Sequence, residues 1–267
     1  KIYKRISDHI GLINLIIISP HDRNLIVEGS DMRRKFIDSV IGQVDKLYLQ
    51  RVIDYNKVIN QRNSLLKYFF INRKFDSDTI ESYNQQLISI GTPIYKERFR
   101  FMNSFIPIFK KYYSDISSGN ELVNINYKSD LNSGSFSEIL NESLSKDKFL
   151  QYTSKGVHRD DLIFTIDNNK IKNFGSQGQQ KSFLIALKLA QFDYYKTKFG
   201  HSPIVLLDDI FDKLDQERVR MIVQILEKKE FSQIFITDTH IDRVKDALSM
   251  SKNKEEIFDL EKLNKDE

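Results

Sequence analysis

The chain has 267 residues, of which 40% are apolar, carries a formal net charge of +4 and contains no cysteine. That length can build one large domain or two modest ones with a real core, while the missing cysteines exclude disulfides, thiolate catalysis and cysteine-ligated zinc. The longest apolar stretch, Ile10 to Ile18, is too short to cross a bilayer and no signal-peptide pattern is present, so we expect a cytoplasmic protein with no membrane partner.

The first predicted elements are two short strands. Leu12 to Ser19 is rich in β-branched residues and stops at Pro20, whose missing N–H ends strand pairing. After a short loop, Leu25 to Val27 is predicted to pair as a second strand. Because charged sequence runs from Lys1 straight toward the first strand, we expect this chain to be a fragment of a longer one.

Two long helical runs follow. Apolar residues recur at helical spacing from Ser30, which can cap a helix, to Phe70. A run of roughly 40 residues exceeds an ordinary helix and predicts an arm or a pair of helices. A second run begins after Asp76 and continues beyond Pro93, and we expect it to pack antiparallel to the first.

The rest of the chain alternates strands and helices, which predicts an α/β fold. The predicted elements are, in order, a strand at Glu121–Lys128, a helix at Phe136–Tyr152, a hairpin with strands Leu162–Ile166 and Lys170–Phe174, a helix after Gly175, a strand ending at Asp209, a helix at Gln216–Lys229 and a strand at Gln233–Thr237. The last strand, helix and strand form a βαβ unit, which is right-handed by strong preference.

An apolar strand that closes on two carboxylates is the most informative feature. Ile204 to Leu207 suits a fully buried parallel strand, and Asp208 and Asp209 lie at its C-terminal end, where open α/β sheets place ligands. One acid can hold Mg²⁺, and the next can orient or deprotonate an attacking water. The alternative is that both carboxylates merely cap and solvate the sheet edge.

A glycine-rich segment, Gly175 to Gln180, opens the helix before that strand. It nearly matches a phosphate loop, but Gln180 stands where the second glycine must be, so its side chain obstructs the wrap around phosphates. Ser176 and Gly178 can instead offer a hydroxyl, N–H groups and the positive helix end to a γ-phosphate supplied by another surface. An ordinary capped helix start is the alternative.

Two polar residues near these motifs each have two alternative roles. Asp215 either belongs to the site or simply caps the following helix. His240 follows the last strand and would lie beside Asp208 and Asp209 if the strands are neighbours. It could sense or position a γ-phosphate, although a lone histidine in a loop is more often incidental.

Together these motifs resemble those of the RecF family, an SMC-like branch of the ABC-type ATPases. Gly175 to Lys181 is similar to the family's signature motif, and Leu206 to Asp215 is similar to its Walker B motif and D-loop. Further agreeing stretches are Ile18 to Leu25, Gly29-Ser30 with Arg33 to Asp38, Tyr83 to Leu87 with Gly91 and Arg98, and Val157 to Leu162. The resemblance therefore runs almost end to end.

The resemblance implies an α/β fold, a partial ABC/SMC-like P-loop ATPase head with an inserted helical arm lobe. Residues 1–29 would be the remainder of the N-terminal ATPase lobe, 30–118 the arm and 119–267 the C-terminal ATPase lobe. The family's phosphate loop would precede Lys1, so we expect weak DNA-dependent ATPase activity in the full-length protein and none in this fragment.

The resemblance also implies an ATP-dependent DNA-binding protein of recombinational repair and replication-fork maintenance. Such a protein binds gapped DNA and single-strand/double-strand junctions, forms an ATP-dependent homodimer and helps load the recombinase with RecO- and RecR-type mediators. Ser176 and Gly178 would contact the γ-phosphate of ATP bound to the opposite subunit, and Gln177 between them is a further candidate ATP-binding residue. Asp208 would hold Mg²⁺ and Asp209 would polarise the attacking water. The remaining candidate ATP-site residues are Asp215, at the dimer interface, and His240.

Basic residues along the arm could lie along DNA phosphates, but such charges more often form a solvated face. They are Lys46, Arg51, Lys57, Arg62, Lys67, Arg73 and Lys74. Arg33, Arg34 and Lys35 are expected to brace the arm against Asp38 or the ATPase lobe. We identify no interleaving of aromatic and basic residues that would mark a single-strand groove.

Two other functions stay open. The chain could be another SMC-like DNA-repair ATPase, although its short arm argues against proteins that need long heptad coiled coils. It could also be a non-catalytic interaction module.

Overall fold

The computed structural model describes residues 10–228, 231, 233–249 and 256–258. Within these ranges the helices are α1 (Asn24–Val27), α2 (Ser30–Val44), α3 (Lys46–Asn72), α4 (Ser77–Ile116), α5 (Phe136–Leu150), α6 (Ile171–Phe174), α7 (Gln177–Phe199), α8 (Gln216–Lys228) and α9 (Ile241–Leu248). The strands are β1 (Leu15–Ile18), β2 (Val123–Lys128), β3 (Asp161–Ile166), β4 (Asn169–Lys170), β5 (Ile204–Asp208) and β6 (Ile234–Thr237). The predicted α/β class is confirmed.

A parallel sheet carries the two carboxylates. Its strands lie in the order β1-β5-β6, and β5, α8 and β6 form the predicted βαβ unit. Side chains on one face, such as Val205 and Leu207, are buried, and α7 packs against β1. On the other face Ile17, Leu206 and Phe235 stand in one row across the three strands. Ile17 and Phe235 are exposed, so this row is largely open.

An antiparallel sheet of β2, β3 and β4 lies beside the arm. The predicted hairpin turn is confirmed, since Asp167 and Asn168 both take the left-handed backbone conformation that tight hairpins require. The prediction of a strand over Lys170–Phe174 is wrong. Pairing stops at Lys170, and the chain turns into α6 because only Ile171 of this segment is buried, which leaves a longer strand no apolar face.

The first strands are also shorter than predicted. β1 covers only Leu15–Ile18 of the expected Leu12–Ser19. The prediction of a strand over Leu25–Val27 is wrong, because this segment is the helix α1. Leu25 and Ile26 are adjacent and both buried, which suits a helical turn, whereas a strand would point them to opposite faces.

The arm consists of α2, α3 and α4. The first helical run is a pair of helices, separated at Asp45, whose carboxylate accepts hydrogen bonds from the first N–H groups of α3. Gly29, not Ser30, occupies the capping position of α2. α3 and α4 pack antiparallel as predicted, since Tyr48 bonds to Arg98 near one end and Arg62 bonds to Asn84 near the other. Pro93 and Pro107 lie inside α4 without ending it.

One continuous hydrophobic core includes residues from all three predicted lobes, for example Ile18, Phe109 and Phe183. The division at residues 29 and 118 therefore stays a prediction. A second, small apolar cluster of Leu66, Phe69 and Ile80 lies where α3 ends and α4 begins. Among the described residues, none of the helices combines the length and apolar character that a membrane crossing requires.

Three arginines, of which Arg98 is buried, attach the arm to the α/β part. Arg98 donates to Asp38 and to Asp160, both within 3.1 Å. Arg33 binds both carboxylate oxygens of Asp161, and Arg34 donates to the carbonyl of Asp160. Arg33 and Arg34 therefore brace the arm as expected, through contacts with residues 160 and 161 rather than with Asp38.

Lys35 departs from that expectation. It pairs with Asp31 one turn earlier on its own helix, at 2.7 Å, and so contributes nothing to the brace.

Candidate functional site

Asp208 lies at the carboxyl end of β5, beside the end of β6. Its register partner is Thr237, whose hydroxyl donates to Asp208 Oδ1 at 2.7 Å. Because β5 and β6 are parallel neighbours, the residues that follow Thr237 leave the sheet at the same edge as Asp208. Asp208 is exposed, so its carboxylate can accept a further ligand from solvent or from a bound molecule.

Asp209 has a backbone fixed from two sides. Its N–H donates to the Thr237 carbonyl at 2.9 Å, and its own carbonyl accepts from Lys181 Nζ at 2.6 Å. Its φ is 49°, in the left-handed region that few residues other than glycine adopt, although aspartate tolerates it better than most. Such conformations concentrate at functional sites, where the surrounding structure imposes them.

Ser176 caps the N-terminus of α7. Its hydroxyl accepts from Gln179 N at 3.2 Å, and the Gln179 side chain accepts from Ser176 N at 2.8 Å. This reciprocal box is the ordinary capped start that the sequence left open as an alternative. Ser176 and Gln177 are both exposed at the positive end of a 23-residue helix, so the same turn is open to an anion.

Gly178 brings the start of α7 against the loop that follows β5. A Cβ atom added at Gly178 would lie 3.2 Å from the Lys213 carbonyl oxygen, tighter than an ordinary contact. Lys181 reaches the same loop at Asp209. The glycine-rich turn and the carboxylate loop are therefore adjacent within one copy of the chain.

Asp215 has a structural role at the start of α8. Its two carboxylate oxygens accept from the backbone N and the Nε of Arg218, at 2.9 and 3.1 Å. The capping alternative thus describes its contacts within this chain. Its side chain is nonetheless exposed, so it is open to a second molecule.

His240 lies three residues beyond Thr237, after the end of β6. Its backbone N–H donates to Asp238 Oδ1 at 2.8 Å, and it stands at the capping position of α9 with an exposed side chain. It is on the same edge of the sheet as Asp208.

Arg218 is the centre of a polar network that sequence reasoning missed. Its guanidinium donates to Glu121 at 2.7 Å and to the Ser182 hydroxyl at 2.9 Å. Glu121 also accepts from the Gln179 side chain at 3.0 Å and from the Tyr113 hydroxyl. Nothing in the sequence signals this network, since Glu121 and Arg218 are far apart along the chain.

The charges in this network are held in their ionised forms. Burial acts to raise the pKa of Glu121, but hydrogen bonds from Tyr113, Gln179 and Arg218 outweigh it and place that pKa below its ordinary value. The network joins the end of α4 to α7, which carries the glycine-rich turn, and to α8.

The described residues at the carboxyl end of β5 are compatible with the metal-binding part of a nucleotide site. They contain no group of three or more histidine or acidic side chains placed to hold a metal by themselves. Mg²⁺ at nucleotide sites is instead held by one or two carboxylates together with phosphate oxygens and water. An exposed Asp208 at a strand end suits that arrangement.

The chain is similar in sequence to curated proteins named DNA replication and repair protein RecF, although no family model matches it. The relative from Flavobacterium johnsoniae is 52% identical over 260 residues, covering 97% of this chain and 72% of the relative. The relative from Phocaeicola vulgatus is 46% identical over 262 residues, covering 98% of this chain and 70% of the relative.

Two solved structures share the fold. One is described as the recombination mediator protein RecF-ATPrS in the RecFOR pathway, with a TM-score of 0.78 and 29% identity over 90% of this chain. The other, RecF-ATP in the same pathway, has a TM-score of 0.76 and 30% identity over 87% of this chain. This chain spans 66% and 64% of those two solved chains.

Proposed function

Because this chain belongs to the RecF family of DNA replication and repair proteins, we propose that it supplies part of a composite ATP site that closes two copies around DNA. Two solved relatives are described as RecF with ATP and with ATPrS, which supports a nucleotide as the ligand. The activity belongs to the full-length protein, a weak DNA-dependent ATPase that acts in the cytoplasm.

The observation that carries this proposal is the contact between two features that each present exposed side chains. The start of α7, where Ser176 and Gln177 are exposed, abuts through Gly178 the loop that follows the exposed Asp208 and the half-buried Asp209. The first feature suits the phosphates of a nucleotide held by a second copy, because the positive end of α7 attracts anions. The second suits the metal and the water of a nucleotide held by its own copy.

Each residue then has a defined role. Ser176, Gln177 and Gly178 bind the γ-phosphate across the interface, Asp208 holds Mg²⁺, and Asp209 orients the attacking water. The metal supplies charge neutralisation at the phosphates when it is bound. The other proposed interface residues are Asp215 and His240.

The same proposal extends to the partners of the full-length protein. Nucleotide shared between two copies stabilises their dimer, and its hydrolysis releases them. We place this clamp on duplex DNA and on single-strand/double-strand junctions at gaps, together with RecO- and RecR-type mediators that help load the recombinase.

Ser176→Arg tests the interface directly. In full-length protein it is expected to abolish ATP-dependent dimerisation in sedimentation, because the bulky cation fills the space of the partner's γ-phosphate, while ATP binding itself persists. Ser135→Arg is the matched control, since Ser135 caps α5 with the same reciprocal box, formed with Glu138. An ATP-dependent dimer that survives Ser176→Arg would remove this turn from the interface.

Asp209→Asn tests hydrolysis. Asparagine keeps the size of the side chain and tolerates the left-handed backbone, but it lacks the negative charge that orients the water. We expect phosphate release to fall by at least about tenfold and the ATP-bound dimer to accumulate. Asp212→Asn, three residues further along the same loop, serves as the control. Equal turnover by Asp209→Asn and the parent would exclude this role for Asp209.

A non-catalytic interaction module is the competing function. It is favoured by the capping contacts of Ser176 and Asp215, which give both residues a structural task. The two functions differ in their response to ligand. Mg²⁺-ATP should raise the melting temperature of full-length protein in a concentration-dependent manner if the site binds nucleotide, and leave it unchanged if the chain is only a module.

A further inference from the structure

The far end of the arm carries exposed aromatic and aliphatic residues that the proposed ATP site does not use. We call it the arm tip and define it as residues 68–75, the end of α3 and the turn into α4. Tyr68, Phe70 and Ile71 are 55%, 56% and 76% exposed, and Phe75 is 40% exposed. Exposed apolar surface gathered in one place is typical of a binding site.

An open cavity of about 610 Å³ is formed by the arm tip. It is lined by Phe69, Phe70, Ile71, Arg73, Lys74 and Phe75. The lining contains two cations and no acid, and neither Arg73 nor Lys74 forms a salt bridge with any residue that the structure describes. Positive charge in this cavity is therefore available to a ligand.

Two of the aromatic walls, Phe69 and Phe75, are held in place by their neighbours. Phe75 meets Phe69 edge to face with ring centroids 5.4 Å apart, and Lys148 Nζ of α5 lies 3.8 Å from the Phe75 ring centre. Phe69 is anchored in turn in the small apolar cluster with Leu66 and Ile80. This part of the cavity is thus formed before any ligand arrives, which lowers the entropy cost of binding.

A ligand that fits must present flat apolar groups and negative charge together. Single-stranded nucleic acid does this, since its unpaired bases stack on aromatic rings while its phosphates pair with cations. Duplex DNA offers the phosphates but keeps its bases stacked inside. An extended peptide commonly pairs with a free strand edge, and the arm tip is the end of a helical hairpin.

The sequence did not indicate a single-strand groove, but we propose that the arm tip binds unpaired nucleotides of single-stranded nucleic acid, with Phe70 stacking on a base and Arg73 and Lys74 contacting phosphates. This proposal specifies how the proposed function would recognise a DNA junction. It rests on the proposed function only because it takes DNA as the partner. α3 has 27 residues, so the tip lies about 40 Å along the arm from where α3 begins. A junction would thereby be held at the arm tip through its unpaired strand.

Fluorescence anisotropy with a labelled oligothymidylate of about 12 nucleotides tests the stacking contact, at a length within the range that single-strand sites cover. The assay uses full-length protein without ATP, so it does not depend on the composite site. Phe70→Ala is expected to weaken binding by about 5- to 150-fold, the loss typical of one stacked base. Phe99→Ala is the matched control, because Phe99 is 46% exposed on α4 outside the tip.

The phosphate contacts are tested by salt dependence. Replacing Arg73 and Lys74 together by glutamine should reduce the slope of log affinity against log salt by about 1.4, since each phosphate contact contributes roughly 0.7 on a single strand. Lys96→Gln, an exposed cation elsewhere on the arm, should leave the slope unchanged.

Three results would overturn the proposal. The first is an oligothymidylate affinity that Phe70→Ala does not change. The second is that Phe70→Ala lowers the affinity for a duplex of the same length as much as it lowers the affinity for oligothymidylate. That result would mean that unpaired bases are not recognised. The third is that the arm-tip variants bind oligothymidylate normally but no longer bind a RecO- or RecR-type mediator. That result would assign the arm tip to a protein partner. Because the assay contains no ATP, its outcome does not depend on whether the proposal of a composite ATP site is correct.

Discussion

At the scale of single residues, His158 shows how a polar side chain can serve the fold. Its Nε2 donates to the Thr153 carbonyl at 2.9 Å, and its Nδ1 lies 3.3 Å from the Tyr55 hydroxyl. Burial lowers the pKa of His158 to about 4, so the imidazole is neutral at physiological pH. The histidine of the family-like segment Val157 to Leu162 is thus a packing residue.

His158 makes stability depend on pH. Between its ordinary pKa of about 6.5 and the folded value of about 4, the unfolded chain binds a proton that the folded chain does not, so the free energy of unfolding falls as pH falls. The loss approaches about 3 kcal/mol below pH 4. Urea unfolding of the parent and of His158→Gln between pH 7 and 4 checks this, and parallel pH profiles would contradict it.

At the scale of elements, the arm is joined to the α/β part through charged side chains placed inside the protein. Arg62 of α3 is fully buried and donates to Asp147 of α5 at 2.8 Å, to Asn84 of α4 at 3.0 Å and to Thr153 at 2.9 Å. One guanidinium therefore sets the relative position of three helices. Arg62, which the sequence placed among possible DNA contacts, is unavailable to DNA.

Arg62→Met is expected to lower the free energy of unfolding by about 3–5 kcal/mol, because it leaves Asp147 buried without its counter-charge. Arg100→Met is the control, since Arg100 is exposed and its salt bridge with Glu97 should contribute at most about 1 kcal/mol. Urea denaturation measures both. A loss for Arg62→Met no larger than that of the control would show that the buried pair does not set the stability of the arm.

At the scale of the whole molecule, Arg218 connects the arm to the proposed ATP site. It links Glu121, beyond the end of α4, with Ser182 of α7 and with Asp215, and Gln179 beside the capped turn shares the same carboxylate. A contiguous network of this kind can carry an energetic coupling between two sites. We expect DNA held by the arm to influence ATP turnover through it.

Arg218→Met is expected to reduce the stimulation of ATP turnover by duplex DNA about tenfold in full-length protein, a change of about 1.4 kcal/mol in activation free energy. ATP binding should persist, since Arg218 is not placed on the nucleotide. Arg220→Met, an exposed arginine on the same helix, is the matched control. Unchanged stimulation by DNA in Arg218→Met would show that coupling does not pass through this network.

Much of the α/β part was predictable because its signals are local. The Asp167–Asn168 turn, the helix start at Ser176 and the strand that ends at Asp208 each depend on a few adjacent residues. Errors arose where short apolar segments had to choose between strand and helix, as at Leu25–Val27. There the burial of adjacent side chains, which only the packed protein determines, decided the outcome.

The sequence by itself determined the alternation of elements, the helical arm, and the motif set that identifies the family, because periodicity, caps and turn chemistry act over a few residues. The tertiary structure alone decided the Arg218 network, the burial of Arg62 and the arrangement of the arm tip. Those features depend on partners far apart in the chain, such as Glu121 with Arg218 or Phe75 with Lys148, and on which side chains remain in water. Local composition carries no record of such distances, so only the folded chain reveals them.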